Sequence, residues 1–167
     1  AYFSRDVHFL PDIITELWQA RDEAKKQQNT ATSQAIKIIM NSFYGVLGSG
    51  GCRFYDTRLA SSITLRGHQI MKLTKAWVEE MGYQVIYGDT DSTFVWLGNE
   101  LQTNADLIGH QMAEEITQKW AAWCDSKYNL TSFLELEFES HFNQFIMPTL
   151  RGSELGSKKR YVGLKLD

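Results

Sequence analysis

Tyr87-Gly88-Asp89-Thr90-Asp91-Ser92 interrupts an apolar passage, with Tyr83-Gln84-Val85-Ile86-Tyr87 running into it and Thr93-Phe94-Val95-Trp96-Leu97 running out. The flanking runs read as strands and the polar centre as their turn, so the stretch predicts a β-hairpin. Carboxylates among apolar neighbours are costly unless their charge is compensated. Residues two apart in extended backbone share a face, so Asp89 and Asp91 are expected to project together, unless a turn at Thr90 redirects them. An EF-hand loop fails as an explanation, because its Gly and terminal Glu are missing. Two readings stay open. One is a turn with solvated aspartates, a common use of Asp. The other is a pair of divalent ions about 3.5–4 Å apart, which activates an attacking hydroxyl and steadies a leaving oxygen.

Working outward, Leu10 to Gln27 predicts a helix, with Ile13, Ile14, Leu17, Trp18 and Ala24 at helical spacing and Pro11 in the first turn. Gln28-Asn29-Thr30-Ala31-Thr32 is a short polar turn, and a second helix runs from Ser33 to about Leu47, broken by Gly48-Ser49-Gly50-Gly51. So short a connection makes the two helices antiparallel neighbours. Cys52-Arg53-Phe54-Tyr55 reads as a short strand. Asp56 or Thr57 caps a long helix to about Met81, ended by Gly82. After the hairpin, Asp106 to about Asp125 predicts another helix. Phe133-Leu134-Glu135-Leu136-Glu137-Phe138-Glu139 alternates with period two and predicts a half-exposed strand, and residues 142–147 and 160–164 predict two more. The fold class is α+β: an antiparallel helical hairpin over residues 1–50, then an antiparallel sheet with packed helices over residues 51–167.

The chain has 167 residues, of which 43% are hydrophobic, enough for a real core and too many for disorder. No apolar stretch approaches the roughly 20 residues a membrane helix needs. Cys52 and Cys124 suggest no disulfide framework and fit a reducing cytosol. The opening Ala1-Tyr2-Phe3-Ser4-Arg5-Asp6 is polar and mixed, without the pattern of a secretory leader. The first residue is not Met, and Tyr161 to Asp167 reads as a strand cut short, so a piece of a longer chain is expected. Net charge is −3, but residues 1–75 carry +4 and residues 76–167 carry −7. A basic half suits phosphate and an acidic half suits metal; chance surface variation gives the same asymmetry.

Three further constellations carry chemistry. Arg21 and Lys25 are four apart, as are Lys37 and Asn41, so each pair shares a helix face. Two antiparallel helices carrying them would aim three cations and an amide at a triphosphate, Arg as a fork and Lys as a point charge. A solvated face explains Arg21 and Lys25 equally well. Lys37 is harder to explain that way, because it interrupts Ala35-Ile36-Lys37-Ile38-Ile39-Met40. Ser157-Lys158-Lys159-Arg160-Tyr161 places successive cations before an aromatic, which suits a nucleic-acid backbone and groove as well as a merely solvated run. Glu135, Glu137 and Glu139 line one strand face, and one of them is within the scope of a further metal ligand.

Taken in order, these motifs resemble family B DNA polymerases. Lys37-Ile38-Ile39-Met40-Asn41-Ser42-Phe43-Tyr44-Gly45 matches the family's K-x-x-x-N-S-x-Y-G, and Tyr87 to Ser92 matches its Y-G-D-T-D-S. Lys158-Lys159-Arg160-Tyr161 matches K-K-R-Y, and Arg21 to Lys25 fits the R-x-x-x-K of its fingers helix. Ser4 to Pro11, Leu59 to Thr64 with Gly67 to Met71, and Met147 to Gly152 point to a bacterial branch, hence to the bacterial cytoplasm.

The resemblance implies a fingers subdomain over residues 1–50, part of a palm over residues 51–167, and template-directed nucleotidyl transfer from a deoxynucleoside triphosphate to a primer 3′-hydroxyl with two Mg²⁺. It implies that Asp91 ligates the metals, with Asp89 contributing less directly and Glu137 as an acid near the site. It implies triphosphate contacts from Arg21, Lys25 and Lys37, and a nascent base-pair pocket lined by Asn41 and Tyr44. Lys158, Lys159, Arg160 and Tyr161 become contacts to primer-template DNA. A sliding clamp is a partner implied for a full-length enzyme, with no signal for it in these residues. The family's first motif, D-x-x-S-L-Y-P-S, which supplies the other principal metal-binding aspartate, does not occur here. The chain by itself is therefore expected to be inactive. Rival readings are a non-catalytic nucleotide- or nucleic-acid-binding module and a palm-like nucleotidyl cyclase, the latter giving no role to Lys37–Gly45 or Lys158–Tyr161.

Overall fold

A computed structural model describes residues 2–6, 8–98, 104–149, 152 and 159–165. Four helices and two small antiparallel sheets follow in the order α1 (Leu10–Lys26), α2 (Thr30–Leu47), α3 (Thr57–Glu80), β1 (Gln84–Asp89), β2 (Ser92–Trp96), α4 (Ala105–Tyr128), β3 (Gln144–Ile146) and β4 (Val162–Leu164). The class is α+β, as expected. The chain divides into two compact units, residues 1–66 and 67–167.

The first unit is built on the α1–α2 hairpin. Pro11 sits in the first turn of α1, where its missing N–H costs nothing, and Lys25 and Lys26 lie in the last turn, where cations complement the helix dipole. Asn29 caps α2, its side chain accepting from the Thr32 N–H at 3.0 Å. The second helix therefore starts three residues before the apolar pattern does. Half-buried positions recur at Ile14, Leu17, Trp18 and Arg21 on α1, with Ala24 buried, and at Ile36, Met40 and Phe43 on α2, with Leu47 buried.

The expected strand at Cys52–Tyr55 is instead a run of turns, with the Cys52 N–H donating to Ser49 and the Tyr55 N–H to Cys52. Its backbone bonds close locally, leaving none for a ladder. Asp56 then caps α3, accepting from the Arg58 N–H at 2.8 Å. The Arg58 side chain forks onto the same carboxylate, with its closest bond at 2.6 Å, and these bonds hold Asp56 at a pKa of about 2.

The second unit holds the larger core. Val78 of α3 packs with Met112, Ile116 and Trp120 of α4. Val85 of β1, Val95 of β2, and Leu97, Leu134 and Leu136 close around them. The indole N–H of Trp120 donates to Thr74 Oγ1 at 3.0 Å, so the one buried polar side chain among the described residues is satisfied. Asn129, in the left-handed conformation, ends α4 by donating its N–H to Asp125.

The expected strand at Phe133–Glu139 is not a strand. Its alternation is present, with Leu134, Leu136 and Phe138 half-buried and Glu135, Glu137 and Glu139 exposed. Yet the Leu136 N–H goes to the Thr117 hydroxyl on α4 at 3.0 Å rather than to a neighbouring strand. The segment lies on a helix, and the Phe138 ring occupies the space where a Cβ on Gly109 would stand. Helix propensity favours alanine over glycine by about 1 kcal/mol, but overpacking costs typically 1–3 kcal/mol. Gly109→Ala is expected to lower the denaturation midpoint in urea; an unchanged or raised midpoint would show that Phe138 gives way freely.

A single antiparallel sheet was expected. The described residues form two, β1 with β2 and β3 with β4. Their backbone ladders are separate, and aromatic side chains join them instead.

Candidate functional site

β1 carries Val85, Tyr87 and Asp89 on its half-buried side, and an irregularity between Val85 and Tyr87 leaves Ile86 outside the paired register. The extra residue is a β-bulge, which bends the strand and re-aims the side chains beyond it. Asp89 pairs with Ser92, so Thr90 and Asp91 form the tip. Thr90 has φ 45°, in the left-handed region. A β-branched residue there is strained, and such strain collects at functional turns. The Asp91 N–H donates to the Asp89 carbonyl, closing the turn tightly. The two carboxylates thus leave the backbone on either side of a strained residue, Asp89 half-buried and Asp91 exposed.

The carboxylates differ in company. Asp89 Oδ1 accepts from the Thr90 hydroxyl at 3.0 Å and lies 3.8 Å from the Lys159 ammonium. Asp91 has only the Ser92 hydroxyl, at 3.4 Å, and no cation beside it among the described residues.

Lys159 is joined to the hairpin a second time, its backbone N–H donating to the Tyr87 hydroxyl at 2.9 Å across 72 residues of sequence. Lys159 also has a left-handed backbone, φ 61°. Tyr161 then packs its ring 5.0 Å from Phe94, 5.3 Å from Phe145 and 6.4 Å from Tyr87. Phe94 stands between Tyr87 and Phe145 at 5.4 and 5.2 Å. This cluster ties β1–β2 to β3–β4 and brings the second basic motif to the aspartate turn. Arg160 is exposed, and Lys158 lies outside the described residues.

The remaining candidates fall elsewhere. Glu137 lines a cleft of about 530 Å³ between α4 and the extended segment, with His110, Glu114 and Glu135. Among the described residues, no three His, Cys, Asp or Glu side chains are grouped to hold a metal. Asp89 and Asp91 still fit Mg²⁺ by donor chemistry. This ion takes hard oxygen ligands and is commonly held by one or two carboxylates, with waters and substrate phosphates completing its shell.

In the first unit, Lys25, Lys37, Asn41 and Tyr44 are exposed, and Arg21 is half-buried with its Nε unpartnered among the described residues. A buried N–H without an acceptor is costly. Lys37, Asn41 and Tyr44 follow one another at helical spacing beside the half-buried stripe Ile36, Met40, Phe43. The Tyr44 hydroxyl is bonded to Thr64 Oγ1 at 2.8 Å.

Sequence reasoning missed Tyr87, Phe94, Phe145 and Thr64 as supporting groups. No local pattern marks contacts across so many residues. The bulge has no local signature either.

The family model of DNA polymerase family B matches residues 10–167, and the chain belongs to that family. It is 59% identical over 165 residues to DNA polymerase II of Escherichia coli (strain K12), covering 98% of this chain and 21% of that protein. It is 30% identical over 154 residues to the DNA polymerase alpha catalytic subunit of Dictyostelium discoideum, covering 92% and 9%. Against the delta catalytic subunit of Glycine max it is 33% identical over 175 residues, covering 93% and 14%. The chain therefore spans about a fifth of the first relative's length and less of the others. No helix among the described residues is long and apolar enough to cross a membrane.

Proposed function

We propose that this chain is the fingers and part of the palm of a bacterial DNA polymerase of the polymerase II type, working in DNA replication and repair. The complete enzyme adds deoxynucleotides to a primer 3′-hydroxyl as its template directs. The observation that carries this reading is Lys159 folded against Tyr87 and Asp89, which unites the two motifs that the chemistry needs together.

Asp91, exposed and without a cation, is the principal ligand for Mg²⁺, and Asp89 assists. The chemistry that bound Mg²⁺ supplies is activation of the primer hydroxyl and neutralisation of charge on the triphosphate. Lys159 and Tyr161 hold the primer end beside the turn, with Lys158 and Arg160 extending the contact to primer-template DNA. Asp89 keeps the Lys159 ammonium from wandering. Arg21, Lys25 and Lys37 take the triphosphate. Asn41 and Tyr44 line the pocket for the new base pair. Glu137 is a weaker candidate for the acid near the metals, since it faces the α4 cleft. A sliding clamp belongs with the complete enzyme, and the bacterial cytoplasm is its setting.

The complete protein is expected to extend a primer in Mg²⁺, to stop in excess chelator, and to resume when Mg²⁺ is restored. The 167-residue chain alone is expected to give no extension, because the motif carrying the other principal aspartate is not among its residues. A complete protein that leaves primers unextended in Mg²⁺ refutes the assignment. Template-dependent synthesis by the chain alone refutes the division of the metal site.

A further inference from the structure

Tyr161 immediately precedes β4, and Gly163 follows two residues later within it. The Phe142 ring occupies the space where a Cβ on Gly163 would stand. A rigid ring cannot give way as the end of a flexible chain does, so Phe142 can cross β4 here only because residue 163 has no side chain. Lys165 Nζ lies 5.5 Å from the centroid of the same ring, within the range of a cation–π contact. The Asn143 N–H donates to the Leu164 carbonyl at 2.8 Å, tying the residue after Phe142 to the same strand. Phe145 is the ladder partner of Gly163. Its ring lies 6.1 Å from Phe142, 5.3 Å from Tyr161 and 5.2 Å from Phe94. Phe142 is thus joined through Phe145 to the rings that surround Tyr161, wholly within residues 67–167.

We propose that Phe142, seated in the gap at Gly163, is a positioning residue for the primer end. It acts through Tyr161 and does not itself touch DNA. The proposal rests on the reading of Tyr161 as a primer contact. A two-stranded sheet is marginal on its own, and β3 and β4 share only three residue pairs, so side-chain packing decides where β4 sits. Tyr161 is 44% exposed, with Phe94 and Phe145 against the rest of its ring. Phe142 holds β4 and Phe145 at a fixed spacing and so presents the bare part of Tyr161 at one height beside the aspartate turn. A contact ordered in advance spends no binding energy on ordering itself, whereas a loose one does.

The test is steady-state primer extension by the full-length protein, with KM measured separately for primer-template and for nucleotide. Phe142→Ala removes the ring. The KM for primer-template is expected to rise about two- to tenfold, the scale of one aromatic pair, with the KM for nucleotide unchanged. Gly163→Ala leaves the ring in the chain but puts a methyl group in its place, and is expected to raise the primer-template KM likewise. Combining the two should add little, since the new methyl then meets no ring. Tyr161→Ala is expected to raise the same KM. A merely structural role for Phe142 would lower kcat or raise both KM values together, and either result overturns the proposal. An unchanged primer-template KM in Phe142→Ala overturns it, as do additive losses in the double variant. Should Phe142→Ala fail to fold, Gly163→Ala decides by the same two KM values, and unfolding of both overturns the proposal in favour of a core role. A Tyr161→Ala protein with the wild-type primer-template KM overturns the primer-contact reading and this proposal together, which distinguishes that failure from the others.

Discussion

Asp91→Asn in the complete polymerase is expected to reduce primer extension about a thousandfold, with primer-template affinity nearly unchanged. The substitution keeps the size of the side chain and removes its charge. A bound divalent ion supplies several kcal/mol of charge stabilisation in the transition state, and each 1.36 kcal/mol is about one power of ten in rate. Asp91 has no cation beside it among the described residues, so its full charge is available to metal. Asp89 shares its charge with Lys159 at 3.8 Å. Asp89→Asn is therefore expected to cost much less, at most about fivefold, since an exposed ion pair contributes at most about 1 kcal/mol. Single-turnover extension at saturating nucleotide separates the two. Near-normal extension by Asp91→Asn would falsify the metal-ligand assignment, and equal losses would reject the ranking.

The largest effect on stability is expected at Trp120. Its side chain is 1% exposed, among Val78, Met112 and Ile116. Truncating a buried Trp to Ala costs about 3–5 kcal/mol through lost transfer energy and the cavity left behind. The Thr74 hydroxyl, 3% exposed, also loses its partner, which adds a desolvation cost on the order of 1–3 kcal/mol. Effects of this size compare with the whole stability of a small domain, so Trp120→Ala is expected to unfold the second unit near room temperature. Trp120→Phe keeps most of the volume and loses only the N–H and part of the ring, so an intermediate loss is expected. Denaturant melts read by circular dichroism measure both. A Trp120→Ala protein with a denaturant midpoint close to that of wild type would show that the α3–α4 contact is not the core of this unit.

The helices were legible because their apolar positions repeat at 3.6 residues and their ends carry recognisable residues. Where the pattern began late, the cap supplied the correction: Thr30 to Thr32 look like a polar turn until Asn29 is seen to cap them. The Phe133–Glu139 segment shows what periodicity encodes. Alternation records which side chains face the core, and it says nothing about what the backbone bonds to. Here the partner is a helix hydroxyl. Cys52–Tyr55 misled for a related reason, since β-prone aromatics sat on a backbone already closed by its own turns.

The aspartate hairpin was legible from its polar centre between apolar runs. The approach of Lys159 to Tyr87 was not, because a contact between residues 72 apart leaves no local trace. The matched motifs named both pieces as parts of one enzyme, and the fold supplied the contact between them.

The core around Trp120 has an optical consequence. Trp77 meets it at 4.7 Å and Trp123 at 5.2 Å, both edge to face. Indoles so close and so fixed couple their electronic transitions, giving the second unit a strong near-ultraviolet circular dichroism signal of its own. Trp18 is the single tryptophan of the first unit. The protein thus carries an intrinsic chromophore for one half of its structure, readable without a label.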